Sequence, residues 1–204
     1  ISLFVIDRDR EGLTHQAIDK LGTRTLPSSM VFFDNVRIEP AELVGTLHGG
    51  FKQLLDALNT ERIVTTAGLV GTAEIATKLA IAYAGERKLF RGQPIGSYQA
   101  IQFPLAEAHI QPECARLMNY KAAALHDGDR PYGSEDNMGK WLAGHAAGQA
   151  TDRAIQTMGG MGYSTEAQVE RLWRDARLFR IAPVSEEMVL NFVAQHDLGM
   201  PRSY

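Results

Sequence analysis

Glu61 shares one side of a long helical pattern with Leu54, Ala57, Leu58, Thr65 and Gly68, by their three- and four-residue spacing. A carboxylate among apolar and small neighbours is costly unless it is paired, protonated or lining a cavity, and burial makes such a group a better proton acceptor. Spacing therefore allows two roles for it, a general base or one half of a salt bridge to a neighbouring helix. Arg87, near the end of the same pattern, suits either a phosphate or the last carbonyls of a helix. Phe90 reads equally well as a core residue. The glycines at 159 and 160 follow a helical stretch rather than a strand, so on their own they read as a helix stop and not as a dinucleotide fingerprint.

The elements that must position these residues fall into two groups. Up to about Gly45, short β-rich runs alternate with turn signals: Ile1 to Ile6, Met30 to Phe33, and Val36 to Ile38 ahead of Pro40. Beyond Phe51 the apolar period becomes helical. One helix is expected from Gly50 to Arg87, and a second after Ser97 as N-cap, ending near Gly128 and kinked or split at Pro112. A third follows Ser134 and stops at the double glycine; a shorter one covers Val169 to Arg177, and a last one Ser185 to His196. The expected fold is mainly α, a C-terminal four-helix bundle over residues 46–204 preceded by part of an antiparallel β-domain over residues 1–45.

The 204 residues are 45% hydrophobic and 22% charged with a formal net charge of -3, which gives no reason to expect nucleic acid or an anionic membrane as partner. Cys114 is the sole cysteine and fits a reducing compartment. Histidines lack metal-ligand spacing, no apolar run reaches the length of a membrane span, and the chain reads as soluble. Ile1 opens in what reads as a strand already under way, which suggests a fragment.

Three motifs carry a resemblance. Lys20-Leu21-Gly22-Thr23-Arg24 with Val31 to Ile38, Glu86-Arg87-Lys88-Leu89-Phe90 with Pro94-Ile95 and Tyr98 to Phe103, and Ala154 to Tyr163 with Val169-Glu170-Arg171 and Arg174-Asp175-Ala176 resemble, in order, the C-terminal half of acyl-CoA dehydrogenases. The resemblance implies FAD as cofactor. It places Arg87, Phe90 and Gln99 on the FAD of a neighbouring subunit, and Gln156, Thr157, Met158 and Gly160 along the adenosine side. Many relatives keep a catalytic Glu in a Tyr-Glu-Gly-Thr-Ser stretch, where this chain has Ile181-Ala182-Pro183-Val184-Ser185. A subset resembling isovaleryl-CoA and long-chain acyl-CoA dehydrogenases carries the Glu on the first bundle helix instead, at the position of Glu61. Val184 and Glu186 replace residues that often touch the flavin end.

The chemistry implied is α,β-dehydrogenation of an acyl-CoA thioester. Glu61 would take the α-proton and the flavin the β-hydrogen as hydride, with Arg62 near the acyl-CoA. The backbone N–H of Ala182 would face the developing enolate oxygen. An electron-transferring flavoprotein is the implied electron acceptor, and a homo-oligomer, dimer or tetramer, the implied assembly. The resemblance further implies a bacterial cytoplasm or a mitochondrial matrix. An acyl-CoA oxidase, a flavin monooxygenase on the same fold and a non-catalytic subunit of a heteromeric dehydrogenase are the alternatives.

Overall fold

The computed structural model describes residues 1–203, in two compact units, one of Ile1–Thr60 and one from Glu61 onward. In the N-terminal unit β1 (Leu3–Phe4) is far shorter than the strand expected over Ile1 to Ile6. β2 (Leu13–Ala17) pairs antiparallel with β3 (Ser29–Phe33), Leu13 opposite Phe33 and Ala17 opposite Ser29. β4 (Leu43–Val44) returns to β1, with Leu3 opposite Val44. Among the described residues of this unit only Gly22 and Gly50 are buried, so it is a frame of paired strands without a core of its own.

The expected strand at Val36 to Ile38 does not form. The chain leaves the hairpin at Asn35, whose φ is 50° and whose Nδ2 donates to Asp34 Oδ1 at 2.9 Å. It then enters a 3-10 turn at Pro40–Glu42, where the Glu39 N–H donates to Glu42 Oε2 at 2.7 Å. Between the two, the Arg37 carbonyl accepts from Arg10 Nη1 at 2.8 Å, and Arg10 is also ion-paired with Glu42, so a side chain takes the place of a strand partner.

α1 (Gly50–Glu86) starts in the first unit and runs through the second. Its buried stripe is Arg62, Thr66, Leu69, Val70, Ala73, Ala76, Thr77, Ala80 and Ala84, a three-and-four spacing that turns one face to the bundle. A small hairpin, β5 (Lys88–Leu89) with β6 (Gln93–Pro94), leads into a 3-10 turn at Ile95–Ser97. Ser97 does not cap the next helix as expected. Its Oγ donates to the Pro94 carbonyl at 2.7 Å and closes that turn, so α2 (Gln99–Asp127) begins after Tyr98.

Pro112 does not split α2, which continues through it. Proline removes the N–H that the carbonyl four residues back would accept. That carbonyl, on Ala108, instead receives the Thr77 hydroxyl of α1 at 3.5 Å, a long bond that gives the orphaned oxygen a donor.

α3 (Gly133–Met158) begins one residue before Ser134, whose Oγ donates to Asp197 Oδ1 at 2.5 Å. It stops at Gly159, which takes a φ of +58°. A single turn, α4 (Gly160–Tyr163), follows; a Cβ on Gly162 would lie 2.6 Å from the Ile155 carbonyl oxygen, so the turn folds back tightly on α3. α5 (Val169–Leu178) and α6 (Glu186–His196) both pack on α3 and together form the fourth wall of the bundle. α6 starts within a residue of the expected Ser185, which caps it, its Oγ accepting from the Met188 N–H at 3.4 Å.

Two apolar clusters hold α1, α2 and α3 together. One joins Leu69, Val70 and Ala73 to Ala108, Ala115, Ala143 and Ala147; the other joins Ala80 and Ala84 to Ile95, Leu105, Ala154 and Val169. Substitution of Thr77 by Val keeps the packing and removes the donor to Ala108, and is expected to lower stability by about 1 kcal/mol in urea unfolding. In a Pro112→Ala background, where the helix supplies its own N–H, the same substitution is expected to cost measurably less.

Candidate functional site

The residues singled out in the sequence gather at two opposite ends of the bundle. Glu61 and Arg62 lie near the start of the bundle part of α1, whereas Arg87 follows its last residue. The 26 residues between Glu61 and Arg87 correspond to about 39 Å along a helix. No single dinucleotide spans both.

At the first end Glu61 is exposed, and so are Leu54, Ala57 and Gly68 of the side on which it was expected to interrupt a packed face. The apolar stripe that enters the bundle belongs to the neighbouring side, and it carries Arg62. Glu61 is therefore not held by a bundle salt bridge. Arg62 is: it is 6% exposed, and its Nε donates to Asp136 Oδ2 of α3 at 2.5 Å. Beside this pair the Lys140 ammonium, also fully buried, donates to the Val184 carbonyl in the segment between α5 and α6. Ala182 lies in the same segment, half-buried. Its N–H donates to the Leu178 carbonyl at 3.0 Å, so any role for it toward a substrate oxygen has to share or replace that bond.

At the second end Arg87 and Phe90 flank and enter the β5–β6 hairpin, and Gln99 opens α2. All three are exposed, Phe90 at 81%, which excludes the reading of Phe90 as a core side chain. Gln156, Thr157 and Met158 form the last turn of α3, and Gly160 starts α4. Met158 packs on the second apolar cluster, as do Tyr83 of α1 and Ile101 of α2, so the end of α3 lies at the same end of the bundle as the end of α1 and the start of α2. Gln156 and Gly160 are exposed, and Arg87 makes no ion pair among the described residues. A guanidinium without an ion pair among the described residues, exposed amides and an exposed glycine backbone at this end of the bundle are groups that could line a site for a pyrophosphate and its nucleoside.

Comparison with known proteins settles the family. A sequence profile described as the acyl-CoA dehydrogenase C-terminal domain matches residues 48–198. The chain belongs to the acyl-CoA dehydrogenase family. It is 42% identical to acyl-CoA dehydrogenase FadE12 of Mycobacterium tuberculosis over 100% of this chain and 53% of that protein. The glutaryl-coenzyme A dehydrogenase in complex with glutaryl-CoA superposes with a TM-score of 0.91 at 34% identity, covering 99% of this chain and 51% of that one. PigA with FAD and proline superposes with a TM-score of 0.92 at 26% identity, covering 97% and 51%. The chain thus spans about half the length of the curated relatives it matches. Among the described residues no helix is long and apolar enough to cross a membrane.

Sequence reading of this acyl-CoA dehydrogenase chain missed Asp136 and Lys140. A usable signal was present: Asp136, Lys140, Ala143, Ala147, Ala150 and Ala154 fall on one stripe of α3, so two charged residues continue a line of buried alanines. Burial pushes the Asp136 carboxyl up to about 6, against the opposing pull of Arg62. A carboxyl raised on folding adds stability at pH values below its unfolded titration, and that contribution is lost as pH climbs through about 6. The unfolding midpoint of the wild type minus that of Asp136→Asn is therefore expected to fall between pH 4 and pH 7, roughly the interval flanking the two titrations. Arg62→Met, which leaves a buried carboxylate alone, is expected to cost about 3–5 kcal/mol at neutral pH in chemical denaturation.

Proposed function

We propose that the protein carrying this chain is an FAD-dependent acyl-CoA dehydrogenase that oxidises the Cα–Cβ bond of an acyl-CoA thioester, with Glu61 as the base. The observation that carries the reading is the state of the carboxylates at that end of the bundle. Asp136 is committed to Arg62, Glu135 to Lys121 at 3.0 Å, and Glu186 to Arg180 and His145. Glu187, exposed in the first turn of α6, makes no ion pair among the described residues but is not at a position that relatives use for the base. Glu61 is exposed and makes no ion pair among the described residues, which leaves it free to accept a proton. Ala182 has no ionisable group at the other position that relatives use.

In this reading Glu61 takes the α-proton of the thioester while the β-hydrogen leaves with its electron pair. Bound FAD supplies the acceptor for that hydride. Arg62, fixed by Asp136, keeps the first turns of the bundle part of α1 against α3 and so fixes the direction of Glu61. A solvated carboxylate is too weak a base for such a proton, so water has to be excluded by what binds over the exposed face. The backbone N–H of Ala182 would face the developing enolate oxygen.

The cofactor end fits a different FAD from the one that Glu61 serves, because the two ends lie a bundle length apart. Arg87 would meet the pyrophosphate, with Phe90 and Gln99 beside it, and Gln156, Thr157, Met158 and Gly160 would follow the adenosine. This supports a homo-oligomer in which each bundle completes a neighbour's site. Electrons would pass on to an electron-transferring flavoprotein, and a bacterial cytoplasm or a mitochondrial matrix would be the setting. The PigA likeness, with proline and FAD in that protein, favours keeping a second reading: an acyl-CoA oxidase or flavin monooxygenase on the same fold. Ala182 favours a third, a non-catalytic subunit of a heteromeric dehydrogenase, which predicts no turnover with any acyl-CoA when the protein is purified alone.

In the full-length protein, Glu61→Gln is expected to lower dye-coupled oxidation of an acyl-CoA panel by roughly 10²–10⁴-fold while the visible flavin spectrum persists. Unchanged turnover would remove Glu61 as the base, and faster turnover with oxygen than with dye would favour the oxidase reading. Arg87→Ala is expected to leave the bundle folded and to release flavin on dialysis, read by the absorbance retained.

A further inference from the structure

One turn of α3 touches both pieces of the proposed chemistry. Asp136 and Lys140 stand four residues apart, about 6 Å along the helix axis. Asp136 holds Arg62, the residue next to Glu61, at 2.5 Å. Lys140 donates to the carbonyl of Val184, two residues after Ala182.

The segment that Lys140 reaches is tied down from other sides as well. Arg180 and Glu186 close its base through two bonds of 2.7 and 2.6 Å between their side chains, and the Glu186 N–H donates to the Arg180 carbonyl at 3.1 Å. His145 Nε2 lies 3.0 Å from Glu186 Oε2. Lys140 pins the middle of the resulting loop from inside the bundle. Burying an ammonium is costly, and an apolar side chain of similar length would fill the same space without that cost. What the ammonium adds is a fixed place for one backbone carbonyl.

We propose that Lys140 is a positioning residue for the reaction: with Asp136 it makes one turn of α3 the ruler that sets the Ala182–Ser185 segment against the helix that carries Glu61. The proposal rests on the reading of Glu61 and Ala182 given above. Lys140 touches neither substrate nor cofactor in it and acts through the backbone it holds.

The test uses the full-length protein with flavin bound, as wild type, Lys140→Met and Glu186→Gln. Methionine keeps an apolar stem of similar length and removes the donor. Glu186→Gln, at a partly exposed site, loosens the same segment from outside. In Lys140→Met, amide hydrogen exchange in the peptide covering residues 181–187 is expected to quicken by roughly tenfold, with peptides of α1 to α3 unchanged. With an acyl-CoA that the wild type oxidises, kcat is expected to fall roughly 10- to 100-fold and KM to stay near its wild-type value. Glu186→Gln is expected to shift the exchange readout in the same direction, and if Lys140→Met does not fold, Lys140→Leu, which also lacks the donor, is read in its place with the same expected outcomes. Exchange at the wild-type rate, or faster exchange with unchanged kcat, overturns the proposal. A wild type that oxidises no acyl-CoA sinks the functional reading on its own, and exchange then still decides whether Lys140 holds the segment.

Discussion

Close approach of three alanine-lined helices is the constraint on which the rest of the bundle depends. Thirteen of the nineteen buried apolar residues described are alanines, from Ala73 and Ala76 on α1 to Ala143, Ala147 and Ala150 on α3. Small side chains bring helix backbones near to one another, and at that range a short hydroxyl can reach a carbonyl on the next helix. The bond from Thr77 to Ala108 exists for that reason, and it gives a donor to the carbonyl that Pro112 leaves without its helical N–H. A larger residue at any of these alanines would separate the helices and strand the polar contacts.

Polarity inside the bundle is distributed unevenly along its length. Arg62, Thr66, Asp136, Asn137 and Lys140 are buried toward one end, while Ala84, Ile95, Leu105 and Val169 fill the other. Among the described residues Thr66 Oγ1 and Asp136 Oδ1, at this polar end, have no hydrogen-bond partner. Buried pairs of this kind seldom add net stability over apolar packing, but they fix geometry because few arrangements satisfy them. The end nearest Glu61 thus buries charged groups in directional contacts, whereas the side chains buried near Arg87 are apolar and the hydrogen bonds there, such as that from the Ile95 N–H to the Arg87 carbonyl at 2.8 Å, belong to the turns around them.

The helical part of the fold was legible because period and punctuation agreed over long stretches. Gly50, Gly128, Gly159 and the Ser185 cap lie where the sequence put the ends of helices or within a residue of them. Errors came where a local signal competed with a tertiary one. Ser97 looked like a cap but found a nearer carbonyl, and Pro112 looked like a kink or a split but does not split the helix. β2, Leu-Thr-His-Gln-Ala, has no apolar alternation and is a strand only because β3 lies beside it. The candidate site was partly legible. Motif likeness named residues that do gather at two ends, but period alone set Glu61 on the packed side when the packed residue is Arg62. Asp136 and Lys140 passed unnoticed because charged residues on a helix usually face solvent.

The bundle length that separates Glu61 from Arg87 has a genetic reading. If each chain lends its far end to a neighbour, a defect at one end and a defect at the other damage different sites. Two inactive alleles, one altered at each end, would then assemble some sites built wholly from sound parts, and a cell carrying both would recover a fraction of the activity that neither allele provides alone.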